Sequence, residues 1–153
     1  GNSKILNLNG TVAGYTQANF NNTDPTSSVF TVGSIAGTNA SSQTFIAYLF
    51  ATLDGISKVG SYTGNGSTLN IDCGFTSGAR FVLIKSVSTS GSWYVLDTER
   101  GIVAGNDPVL SLNTTDAEES FDDLIDPYSA GFTLNGVGMV NANNVEYIFY
   151  AIA

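Results

Sequence analysis

Two stretches of this chain of 153 residues carry the same ending, 102 positions apart. Residues 24–51 read DPTSSVFTVGSIAGTNASSQTFIAYLFA, and residues 126–153 read DPYSAGFTLNGVGMVNANNVEYIFYAIA. They align without a gap. Ten of the 28 positions are identical, among them Asp24/Asp126, Pro25/Pro127, Phe30/Phe132, Asn39/Asn141, Ile46/Ile148 and Tyr48/Tyr150. The match extends upstream at an offset of 104, where ILNLNGTVA at 5–13 parallels VLSLNTTDA at 109–117. A repeat constrains the fold strongly, because both copies must be able to reach the same local structure. Residues 1–51 read as the second half of a repeat unit, 52–57 (TLDGIS) as a linker, and 58–153 as a complete unit. With Gly at position 1 instead of Met, the sequence reads as a cleavage product, a tag remnant or the edge of a longer chain.

A half unit exposes an apolar face and unpaired strand edges. Phe45, Ile46, Tyr48, Leu49 and Phe50 therefore need cover, from the complete unit, from another chain, or from a half that lies outside these residues. The first two imply an intimate assembly and are the favoured expectation.

The segments between turns are short, β-branched and aromatic. They include 4–8, 29–32, 43–50, 58–63, 68–73, 80–87, 92–97, 109–112, 131–135 and 144–152. Asn-Gly, Ser-Gly and Asp-Pro pairs separate them, and strands of this length at this spacing predict an all-β, antiparallel β-sandwich. Asn65-Gly66 is expected to close a type I′ hairpin. Only 114–124 (TTDAEESFDDL) has the makings of a helical turn, capped by Thr114 or Thr115 and answered by Glu118 or Glu119.

Charge and residue usage exclude several function classes. A net charge of −8 repels phosphate backbones, so nucleic acid is not an expected partner. No apolar run approaches the roughly 20 residues of a membrane span. The chain has no His, which removes the commonest general base and zinc ligand. Cys73 stands alone within IDCGF and reads as a small buried hydrophobe.

Four constellations remain. Asp116, Glu118, Glu119, Asp122 and Asp123, with Asp126, offer the oxygen ligands of a Ca²⁺ site, but without EF-hand spacing. The matching part of the first copy, 12–22, carries no acid, so the fold does not need the cluster, and a solvated surface is the simpler reading. Tyr62, Trp93, Tyr94 and Tyr128 are candidates for stacking on a glycan. Trp93 and Tyr94 are adjacent on a strand and must face opposite ways, so core packing competes with that role. Lys85, Asp97 and Glu99 suggest a cross-strand ion pair. Asp97 with Glu99 also has the outline of a glycosidase carboxylate pair. Finally, GSYTGNGS at 60–67 is glycine-rich but lacks the Lys and helix of a phosphate loop.

The stretch KVGSYTGNGSTLNIDCGFTSGARFVLIKSVSTSGSWYVLDTERG carries a resemblance. Its elements at 60–66, 74–75, 81–85 and 93–101 are followed by matching ones at 110–118, 131–132 and 147–153. In that order they resemble a domain of tailed, often marine, bacteriophages found in virion structural proteins of the tail-fibre or appendage type. The resemblance covers 58–153, with 1–51 similar to the tail of a preceding copy. It departs in presenting one and a half units, and in lacking a Pro after Gly74-Phe75. It implies a lectin-like or jelly-roll sandwich and a non-enzymatic structural role at the virion surface, outside the cell. It also implies a homo-oligomer, with a trimer favoured, that contacts other virion proteins and attaches to host surface polysaccharide. The rival expectations are a capsid-decoration or filament-forming subunit with no ligand, and a carboxylate glycosidase domain.

Overall fold

The structure, a computed structural model, describes residues 3–120 and 122–153. It is all-β and antiparallel, and among the described residues helix is confined to two single turns. The chain forms two compact units, residues 1–7 with 14–49, and residues 8–13 with 50–153.

The larger unit is a sandwich of two sheets. One sheet has five strands, in the order β3 (Ser57–Thr63), β10 (Glu146–Ile152), β5 (Phe81–Ser86), β6 (Trp93–Asp97) and β7 (Leu110–Ser111). The other has three, in the order β4 (Leu69–Asp72), β9 (Gly131–Leu134) and β8 (Ile125–Tyr128). Period-two alternation sends Val82, Ile84, Leu96, Tyr147, Phe149 and Ala151 inward from the first sheet, where they meet Ile71, Ile125, Phe132 and Leu134 from the second. The Phe132 and Phe149 rings meet edge to face at 5.4 Å. Such pairing adds to the area that each ring buries.

The smaller unit has a two-residue ladder, β1 (Lys4–Ile5) with β2 (Tyr15–Thr16), and one helical turn, α1 (Ala36–Asn39). Several local devices in it recur in the larger unit at the offset read from the sequence, although the left-handed pair Asn21 and Asn22 has no such counterpart among the described residues. Ile5 pairs with Tyr15, and Val109 with Glu119. The tight turn closed by Thr26 N to Val29 O matches the Tyr128/Gly131 pair that closes the β8–β9 hairpin. α1 matches α2 (Gly138–Asn141). Asn39 Nδ2 donates to Gly33 O at 2.9 Å, and Asn141 Nδ2 to Asn135 O at 3.0 Å. Ser42 and Asn144 share a left-handed backbone, with φ of 59° and 61°. Gln43 N donates to Ala40 O as Val145 N does to Ala142 O.

The structure departs from the sequence reading in places. Pro127, half of an Asp-Pro turn signal, lies within β8, where an edge position spares its missing N–H. The turn at 65–66 joins no hairpin. It carries the chain from β3 in one sheet to β4 in the other, and only Gly66 has positive φ, so type I′ geometry is absent. No helical turn forms at 114–124 among the described residues. The backbone of Glu119 exchanges two hydrogen bonds with Val109 instead, which holds it extended. Phe121 lies outside the described residues. Residues 29–32 and 43–50 form no strand.

Candidate functional site

The five acids proposed for a metal are strung along the connection between β7 and β8. Among the described residues no three such side chains gather in ligand geometry. Glu118 turns toward Arg100 at 3.6 Å, and Asp123 accepts from Asn135 Nδ2 at 2.7 Å. Asp116 and Glu119 are exposed, as is Asp122, whose backbone carbonyl accepts from Asp107 N. The cluster fails to converge because its residues follow an extended path held by the Val109–Glu119 bridge.

Nor do the four candidate glycan-stacking residues form one platform. Tyr62 packs against the core, stacked on Tyr147 at 5.1 Å, and its hydroxyl donates to Val140 O at 2.6 Å. Burial, reinforced by Tyr147, holds that phenol well above its ordinary pKa. Tyr94 also packs against the core, while Trp93, next to it in β6, faces the opposite side of the sheet. Tyr128 is half-buried on β8, in the other sheet.

The expected ion pair of Lys85 does not form. Its cross-strand partners are Trp93 and Ile148, while Asp97 lies opposite Phe81. Lys85 is fully buried, and its ammonium donates to Ser86 O at 2.8 Å and Thr11 O at 3.5 Å. Desolvation lowers its pKa. Asp97 is bound by Arg100 through its side chain and through Arg100 N. Glu99 lies beyond the end of β6, so the two carboxylates do not share a strand face. Cys73 is buried, and burial pushes its thiol up to about 11.

Sequence reasoning missed two fully buried polar residues. Asp107 belongs to one of the Asp-Pro pairs that mark turns in the sequence. Its carboxylate accepts from Leu124 N at 2.8 Å and Ile125 N at 2.9 Å, and from Val103 N at 3.4 Å. Asn141 accepts from Asn65 N at 2.9 Å, and its Nδ2 donates to Ser67 O and Asn135 O. It thus clamps the β3–β4 turn. The only sequence signal for that role was its identity with Asn39.

The feature that internal packing explains least is the run 41–50, of which Phe50 alone meets another ring among the described residues, that of Tyr150 at 4.8 Å. Every residue in it is exposed, including Phe45, Ile46, Tyr48, Leu49 and Phe50. Ile46 and Tyr48 are each 80% exposed, whereas Tyr147, one repeat on from Phe45, is 1% exposed. Among the described residues, the amides and carbonyls of 44–50 make no backbone hydrogen bond. An unpaired, uncharged, apolar strand sequence is a template for pairing with another chain.

The chain belongs to the family described as a domain of unknown function (DUF7483), whose model matches residues 1–153. Neither the curated proteins nor the solved structures gave a match.

Proposed function

We propose that the chain is a non-catalytic structural module of a multi-chain assembly, in a bacteriophage appendage of the kind its 58–153 sequence resembles. The exposed run 41–50 carries this reading. Covering a large apolar side chain is worth about 1.5–3 kcal/mol, and Phe45, Ile46, Tyr48 and Leu49 stand exposed together here. The resemblance supplies only the setting, at a virion surface among other virion proteins. A non-catalytic role is supported by the lack of His and by the engagement of Asp97 with Arg100. Attachment to a sugar has less to stand on, because its four candidate aromatics are dispersed over both sheets and the core.

Light scattering coupled to size exclusion tests the assembly reading. A chain deprived of its natural cover is expected to associate through the exposed run, giving a mass above 16.0 kDa that rises with concentration. A constant monomer mass at every concentration reached would overturn the reading.

A further inference from the structure

What the first copy leaves open, the second copy supplies to itself. β10 is a central strand, paired antiparallel with β3 on one side and β5 on the other. The offset of 102 places residues 44–50 on it one for one. The turn that launches the strand is the same in both copies, from α1 or α2 through the left-handed residue at 42 or 144. Only the neighbours differ. Asn39 tells the same story. Asn141 holds the 65–67 turn, whereas the side-chain oxygen of Asn39 has no partner among the described residues. Open strand edges, an open amide and an exposed Phe45 all match what residues 57–86 provide in the second copy.

We infer that residues 44–50 insert as the central strand between a β3-type and a β5-type strand of a separate half-unit whose own β10 place is empty. The interface is one this fold already makes, seen at β10. A second copy of these 153 residues does not serve, because it brings two β10-type strands and only one such pair. The inference rests on the assembly reading and names its partner.

Side-chain sizes define the partner further. Phe149 fills the space beside Gly60, where a Cβ would stand 2.6 Å from the ring. Ala47 takes the place of Phe149, so the partner carries a larger residue at its Gly60 position. Leu49 takes the place of Ala151, which lies opposite Val82, so the partner carries a smaller residue there. Val29 stands where Gly131 does, and a Cβ at Gly131 would meet Ile71 O at 2.1 Å. The fit therefore does not extend to a β4-type strand.

The probe is a polypeptide of residues 54–112 carrying Gly60→Leu and Val82→Ala, refolded together with the full chain. A second arm joins it by a flexible linker ahead of residue 1, which removes any dependence on the probe's own solubility. Hydrogen exchange is read at the amides of 44–50 and of 146–152. Slowing at 44–50 by about 100-fold or more is expected in either arm, with 146–152 unchanged. Tyr48→Pro in the full chain is expected to abolish it, since a central strand has no place for Pro. Three results would each overturn the inference: no protection of 44–50 in both arms, protection that survives Tyr48→Pro, or equal protection in the chain alone. The last assigns the cover to a second copy and leaves the assembly reading intact. A constant monomer mass by light scattering would count against the assembly reading on which the inference rests, and the exchange arms report on the half-unit separately, so the two failures are distinguishable.

Discussion

Asp107 offers the most direct energetic test of how the sandwich is held. Its carboxylate sits at the chain position where the 101–109 loop meets the start of β8. It accepts the N–H groups of Leu124 and Ile125, two residues with no exposed surface. Asp107→Ala removes the acceptor and leaves both donors buried. An orphaned buried donor costs about 1–3 kcal/mol. Two give roughly 2–6 kcal/mol, partly offset because the variant no longer buries a charge. A net loss of about 2–4 kcal/mol is expected, a large share of the stability of an ordinary domain. Asp107→Asn keeps one oxygen facing both donors and gives up only the long bond from Val103 N, so it should cost about 0–1 kcal/mol.

Urea denaturation followed by tryptophan fluorescence at Trp93 reads both variants. An Ala variant within about 0.5 kcal/mol of the parent, or an Asn variant as damaged as Ala, would refute the buried-acceptor account. The pH dependence adds an independent sign. Desolvation, ahead of the opposing backbone hydrogen bonds, raises the pKa of Asp107 above the ordinary carboxylate value. Between those two values the folded protein holds a proton that the unfolded chain releases. Unfolding therefore becomes easier as pH rises through that window. The parent should lose stability relative to Asp107→Asn over the window and hold a constant difference above it. The opposite slope would show that the hydrogen bonds, and not desolvation, dominate at this site.

Two further predictions concern packing between and within the copies. Gly60→Leu should destabilise the chain by about 1–3 kcal/mol through overpacking against the buried Phe149 ring. Phe149→Ala in the same chain should recover part of that loss, which a double-mutant cycle in urea would show as a coupling of opposite sign to the single effects. Asn141→Ala should cost about 1–3 kcal/mol, because it strips the bonds that this fully buried side chain makes to the backbone of 65, 67 and 135. The equivalent Asn39→Ala, at an exposed position, should change thermal stability by less than about 0.5 kcal/mol. Equal effects at the two positions would refute the claim that only the second copy is clamped.

Alternation and turn residues made most of the larger unit legible. β4, β5, β6, β9 and β10 all lie within expected segments, and β3 begins one residue early at Ser57, because each presents one apolar face to a single core. β8 was hidden by Pro127, since a strand-interior Pro reads as a break unless the strand is known to be an edge. The Asn65-Gly66 pair announced a change of direction correctly, but local sequence does not say which sheet the chain enters next. The aromatic candidates failed for a related reason. Spacing shows that Trp93 and Tyr94 oppose one another, yet only the other sheet decides which face is core. The acid cluster misled because density along the sequence is not convergence in space. Asp107 and Asn141 were invisible because a buried acceptor is defined by the donors around it, and Leu124 and Asn65 lie 17 and 76 residues away.

The run 43–50 is the instructive miss. Its pattern is that of a strand, and its equivalent is the central strand of the larger unit, yet it pairs with nothing among the described residues. The two copies agree at several places where structure needs only nearby residues: the 26–29 turn, the helical turn, the amide bond six residues back, the left-handed residue at 42 and 144. They part where structure needs 57–63 and 81–86. A segment meant for solvent would show protection, as natural strand edges do, by Lys, Pro or inward charge. Residues 41–51 contain no charge and no Pro, and where β10 begins with Glu146 the first copy has Thr44. The first copy is thus the less guarded of the two, although it is the one without partners. In the assembly proposed above, such an unguarded sequence is what a covered central strand carries.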